Sequence, residues 1–264
     1  LATKEGGAAR GVMQATLGID KRAHLPAYAD VPLANKAALI PPPNPDGPAF
    51  GKKVTLYATC FANFNDQTPG EAAIKVLAHN GVEVRIDYPE CCGMPKFENG
   101  DLAAVAGAAE RVAAHFEPLI DAGHDVVPLT TSCALMLKFE WPLLNPGNAL
   151  VANLARHTFD VSQYVVMLAK ETGLMSIEEW DATIGVHFAC HARAQNMGPK
   201  ALEMLRLIPG AKPALTDRCS GHGGKWGIFA EHFDTAVKVG RPAARQLAKD
   251  KPDIMASECP LAGP

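Results

Sequence analysis

The sequence predicts an α/β fold built from two duplicated units, each a short parallel sheet with cysteines at the carboxyl ends of its strands. Three observations carry this. Short β-branched and apolar runs alternate with helical stretches along most of the 264 residues, a pattern that favours parallel sheets. Every cysteine sits in the loop at the exit of such a run. Three cysteines also recur at almost constant offset: Cys60 and Cys190 are 130 residues apart, Cys92 and Cys219 127, and Cys133 and Cys259 126. Buried-thiol packing has no reason to respect that order, so the spacing points to an internal duplication.

The elements follow in order. Residues 1–52 read as a polar, Ala-rich arm leading into a linker dense in proline at 41, 42, 43, 45 and 48, too proline-rich for helix or central strand. The first repeat, 53–145, opens with a strand at 54–59 that ends at Cys60. Pro69 then starts a helix that stops at Gly81. A second strand at 82–87 leads to Cys91-Cys92-Gly93, an amphipathic helix spans 102–122, and a third strand at 125–129 leads to Cys133. A helical segment at 134–140 is expected to stop at Pro142. A connecting helical segment, 146–183, precedes the second repeat, 184–264. There the strand at 184–189 ends at Cys190, Pro199 opens a helix, and 213–216 runs into Cys219. A helix at 231–249 and a strand at 254–257 lead to Cys259. Rossmann-like units of this kind gather ligands at the strand carboxyl ends, so the cysteines converge there.

Composition removes several function classes. A formal charge of −3 and the absence of a basic cluster interleaved with aromatics argue against nucleic acid. No apolar stretch reaches the length of a membrane span. Seven cysteines, two of them adjacent, cannot pair completely into a disulfide framework, which favours a reducing, cytoplasmic setting. The opening residues carry neither an initiator Met nor a signal peptide and read as a truncated or processed start. Gly221 to Gly224 lack Walker or dinucleotide-binding spacing.

In the first repeat Cys60, Cys91, Cys92 and Cys133 supply four thiolates, a complete set for a four-cysteine zinc or a cubane (4Fe-4S) cluster. Gly93 permits the backbone angles that two neighbouring ligands require. The second repeat offers Cys190, Cys219 and Cys259 and needs a fourth donor, with His222 in the Gly-rich turn favoured over His191. Zinc or an iron–sulfur cluster suits that set. Arg193, Arg218 and Lys225 lie near it in sequence, where positive charge stabilises thiolates. His187, inside a strand, reads as structural. A nucleophilic role for Cys190 with His191 or His222 lacks an orienting carboxylate.

The segments 58–65 (ATCFANFN), 91–95 (CCGMP), 131–133 (TSC) with 140–142 (EWP), 187–191 (HFACH), 218–227 (RCSGHGGKWG) and 257–262 (SECPLA) resemble the cysteine-rich CCG-domain proteins. That family includes the heterodisulfide reductase B subunit and the anaerobic glycerol-3-phosphate dehydrogenase C subunit, and the resemblance covers residues 54–264. It implies two CCG repeats and an iron–sulfur protein passing electrons between a flavin dehydrogenase or ferredoxin-type partner and a quinone or disulfide acceptor. Such a protein is expected in the cytoplasm or peripheral at the inner membrane through a quinone-linked partner. The family's full motif ends in Cys-x-x-Cys and holds a five-thiolate, non-cubane cluster. Here Met136 stands at the last cysteine of the first repeat, and Ser220 and Ala262 replace two cysteines of the second. An ordinary cluster, or zinc at one site, is therefore expected over that special cluster. Thiol/disulfide reduction ranks below both electron transfer and a zinc-stabilised docking role. Relatives of the dehydrogenase type carry an upstream ferredoxin-like module; no cysteine precedes Cys60, so a lost module or a fragment is expected.

Overall fold

A computed structural model describes residues 7–262; the residues on which a processed start rests lie largely outside that range. The first sheet contains β1 (Lys53–Tyr57), β2 (Glu83–Asp87) and β3 (His124–Pro128), parallel and in the order β2-β1-β3. The second contains β4 (Thr183–His187), β5 (Lys212–Thr216) and β6 (Ile254–Ser257) in the matching order β5-β4-β6. The duplication read from cysteine spacing is thus repeated in strand order and direction. The central strands are covered on both faces: Val54 to Tyr57 and Ile184 to His187 are buried throughout. This is why they read as continuous apolar runs rather than alternating ones.

The helix α1 (Ala8–Leu17) precedes the first sheet, around which pack α2 (Cys60–Phe64), α3 (Thr68–His79), α4 (Met94–Glu98) and α5 (Leu102–Asp121). Pro69 sits in the first turn of α3, where its missing N–H costs nothing. Asp101 caps α5 by accepting from the Ala104 N–H, and Val105, Ala109, Val112 and Phe116 bury one face of it at helical spacing. The equivalent helix of the second unit, α12 (Phe233–Leu247), buries only Ala236 and Ala243. The second core is correspondingly small, centred on Ile184, Val186, Ala201 and Leu202.

Beyond β3 run α6 (Thr131–Leu135), a π-helical turn at Met136–Glu140, α7 (Trp141–Leu144), α8 (Ala149–Arg156) and α9 (Val161–Glu171). The helix expected to stop at Pro142 therefore continues. Pro142 falls in the first turn of α7, immediately after the wider π turn, where no donor is required of it. Asn148 and Asp160 cap α8 and α9. The second unit is completed by α10 (Cys190–Ala194) and α11 (Lys200–Leu205).

The arm contains α1, which the sequence pattern did not announce, and it ties the two units together. Asp20 N–H donates to Ile228 O and Ala230 N–H to Gly18 O, each at 2.8 Å. Arg22 pairs with Asp20 and Asp234 and lies 4.4 Å from the Phe233 ring centre. Further along, Ala29 N–H donates to Phe64 O, Gln67 donates to Val31 O, and Leu33 is buried in the first core. A second tie is polar and internal. Gln195 donates to Thr131 O at 3.2 Å and to Asp160 at 3.4 Å, while Lys138 donates to Gln163 and Gln195. Among the described residues no helix is long and apolar enough to cross a membrane.

Candidate metal centres

The first site lies at the carboxyl edge of β1, β2 and β3. Cys60 opens α2, Cys91 and Cys92 follow β2, and Cys133 sits in α6. The residue before Cys60 is unusual. Thr59 adopts φ 56°, ψ 159°, a region that β-branched residues avoid, while its hydroxyl accepts from the Ala62 N–H and its side chain is buried. The Cys133 thiol donates to the Cys92 sulfur at 3.0 Å, and the Cys60 and Cys92 thiols lie close enough to Cys91 to shift its titration. The neighbouring Cys60 and Cys92 thiols, with the Gly93 N–H that donates to it, hold the Cys91 thiol well below its ordinary range. Hydrogen bonding to neighbouring thiols and burial push Cys60 and Cys92 up. Exposure falls across the series, from Cys60 at the surface through Cys91 to buried Cys92 and Cys133.

Among the described residues no three His, Cys, Asp or Glu side chains are arranged around a single-ion position. The donor set itself fits a thiophilic group: four soft sulfurs on three adjacent loops suit iron–sulfur or zinc chemistry and not a hard cation. Met136, at the place of the family's last cysteine, is buried in the same cluster as Cys92 and Cys133.

In the second unit Cys190 opens α10, Cys219 follows β5 and Cys259 follows β6. The structure brings His222 to Cys259, with Nε2 3.3 Å from Sγ. The Gly224 N–H donates to His222 Nδ1 at 3.0 Å, which places the neutral ring's proton on Nε2, facing the sulfur. Burial lowers the pKa of His191 and of His222, and the His222 charge adds to the effect on His191. Burial raises Cys259, with Cys190 contributing. Cys190 and Cys219 are exposed. Of the nearby cations, Arg193 is engaged by Asp217.

The backbone of the two loops pairs Cys91 with Cys219. Gly93 and Gly221 have matching φ of 83° and 84°, and each donates its N–H to the cysteine two residues earlier, Cys91 at 3.5 Å and Cys219 at 3.4 Å. Cys91, not Cys92, is the counterpart of Cys219, and Ser220 occupies the place of buried Cys92. Offsets between cysteines alone could not separate two adjacent candidates.

Several residues around the sites had no signal in the cysteine pattern. Trp141, fully buried, donates its indole N–H to the Cys92 carbonyl at 3.1 Å. Glu258, between β6 and Cys259, accepts from the Ala189 N–H at 3.3 Å, while its other oxygen is buried without a partner. Burial, and secondarily Asp160, pushes its carboxyl up to about 7.

Two three-stranded parallel units with cysteine-bearing loops at every strand exit define a duplicated cysteine-rich α/β protein. The chain belongs to the CCG cysteine-rich domain family, whose profile matches residues 54–138. It is 32% identical over 215 residues to lactate utilization protein A of Bacillus cereus, covering 76% of this chain and 81% of that protein. It is 26% identical over 257 residues to the C subunit of the anaerobic glycerol-3-phosphate dehydrogenase of Escherichia coli, covering 95% of this chain and 63% of that relative. The chain thus spans less than two thirds of the latter protein. An uncharacterized iron-sulfur protein of Methanocaldococcus jannaschii is 28% identical over 212 residues, covering 79% of this chain and 40% of that protein.

Proposed function

We propose that the chain is an iron–sulfur electron-transfer protein acting with a flavin-containing dehydrogenase or a ferredoxin-type protein and delivering electrons to a quinone or another acceptor. One observation carries the reading: Cys60, Cys91, Cys92 and Cys133 gather at the carboxyl edge of one sheet, with the Cys92 and Cys133 sulfurs 3.0 Å apart. Those four thiols would hold the first centre. The second would be held by Cys190, Cys219 and Cys259 with an imidazole, and the His222 contact with Cys259 supports His222 over His191. A cluster bound there supplies one-electron chemistry. The protein supplies ligands, burial on the Cys92 and Cys133 side, and an open side at Cys60 for a redox partner. The names of relatives, which include subunits of a dehydrogenase and of a reductase, support a partnered role.

The test is substitution combined with metal analysis on anaerobically prepared protein. Cys60→Ser and Cys219→Ser are each expected to remove a different centre. Loss of both centres from either substitution would mean one shared site, and zinc in place of iron at the first site would favour a structural docking role instead.

A further inference from the structure

We infer that Tyr57 and His187 are matched positioning residues, each gripping the cysteine loop after the second strand of its own repeat. The two occupy the same place in the fold. Tyr57 is the last residue of β1, opposite Asp87 and Pro128; His187 is the last residue of β4, opposite Thr216 and Ser257. Both are buried, at 0% and 3% exposure. The Tyr57 O–H donates to the Glu90 carbonyl at 2.5 Å, and His187 Nε2 bonds the Arg218 carbonyl at 2.8 Å. Glu90 directly precedes Cys91, and Arg218 directly precedes Cys219. Chemically unlike side chains therefore reach the same backbone atom, one residue ahead of the geometrically equivalent cysteines.

A carbonyl only accepts, so His187 carries its proton on Nε2 and its Nδ1 is an acceptor. Nδ1 lies 2.8 Å from the Ser257 hydroxyl, which donates to it and in turn accepts from the Cys259 N–H at 3.1 Å. One ring thus spans from β4 to the Cys219 and Cys259 loops. Tyr57 performs the single-loop version, and its ring position is set separately, stacked on Tyr88 at 6.1 Å and edge-on to Phe116 at 5.9 Å. A phenylalanine would keep those ring contacts, so the hydroxyl is separable from packing. The consequence for cofactor binding rests on the proposed reading of Cys91 and Cys219 as ligands; the gripping of the loops does not.

Hydrogen–deuterium exchange on the full, reduced and metal-free chain tests this without reference to any metal. Tyr57→Phe is expected to speed exchange at residues 91–93 about fivefold, the size of one lost hydrogen bond, and leave 219–221 within twofold of wild type. His187→Leu should do the reverse and also loosen residues 257–259. His187→Gln, whose amide can donate to Arg218 O and accept from Ser257, should restore protection. Unchanged exchange in the cognate loop, acceleration spread equally over both repeats, or failure of glutamine to restore protection would overturn the inference. Should His187→Leu not fold, Tyr57→Phe and His187→Gln still decide it.

Discussion

Replacing Gly221 by alanine is expected to damage the protein far more than replacing Gly93, although the two glycines have nearly the same backbone angle. With φ of 83° and 84°, an L-residue at either position costs about 1–2 kcal/mol for the left-handed conformation, so that contribution cancels between them. The surroundings differ. A Cβ on Gly93 would lie 3.2 and 3.4 Å from the two Val105 methyls, and a small shift of that side chain adds about 1 kcal/mol. A Cβ on Gly221 would lie 2.2 Å from the Ala236 carbonyl oxygen and 2.7 Å from the Gly240 nitrogen. Both are backbone atoms of α12 that no rotamer change can move, so the helix must lift from a core it already touches mainly through Ala236 and Ala243. The expected totals are about 2–3 kcal/mol for Gly93→Ala and more than about 4 kcal/mol for Gly221→Ala. Urea unfolding followed by circular dichroism measures the difference, and limited proteolysis should find new cleavage within α12 only in Gly221→Ala. Equal stability of the two variants would refute the close approach of the Gly221 loop to α12.

Trp141→Phe removes the donor to the buried Cys92 carbonyl and should destabilise by about 2–4 kcal/mol, from an unpaired buried acceptor plus a smaller ring. Denaturant titration measures it, with faster alkylation of Cys92, itself 2% exposed, as the local sign; wild-type stability and an unreactive Cys92 would contradict it. Asp20 gives a pH prediction. Hydrogen bonds from Arg22 hold its carboxyl below the ordinary value of 3.8. Its stabilising contribution is therefore fully present above pH 3.8 and lost as pH falls through the lowered folded value. The thermal midpoint of wild type should exceed that of Asp20→Asn at neutral pH, with the gap closing below 3.8; a gap independent of pH would contradict it.

The strands and their parallel direction were legible because the central strands are buried on both faces and each is followed by a cysteine. The duplication was legible for the same reason. The count of offsets paired Cys92 with Cys219, whereas Cys91-Cys92-Gly93 set against Cys219-Ser220-Gly221 pairs Cys91 with Cys219, and the left-handed Gly93 and Gly221 agree with that second pairing. The helix α1 buries only Arg10 and so has no part in either hydrophobic core; its end is secured by distant pairing with residues near Ile228. Pro142 misled because a proline that stops a helix and one that begins the next turn look alike without the intervening π turn. Tyr57 and His187 share a task but no chemistry, so no sequence pattern joined them. The bonds of Gln195 to Thr131 and Asp160 unite residues far apart in the chain, and only the folded arrangement reveals them.

Quantitative iron, zinc and acid-labile sulfide analysis of anaerobically prepared protein, with EPR of its reduced and oxidised forms, tests the central claim most directly. The expected result is iron with sulfide and a cluster signal that disappears in Cys92→Ser, since Cys92 and Cys133 form the buried half of the first site. Zinc without iron or sulfide, or a cluster signal that survives Cys92→Ser unchanged, would contradict it.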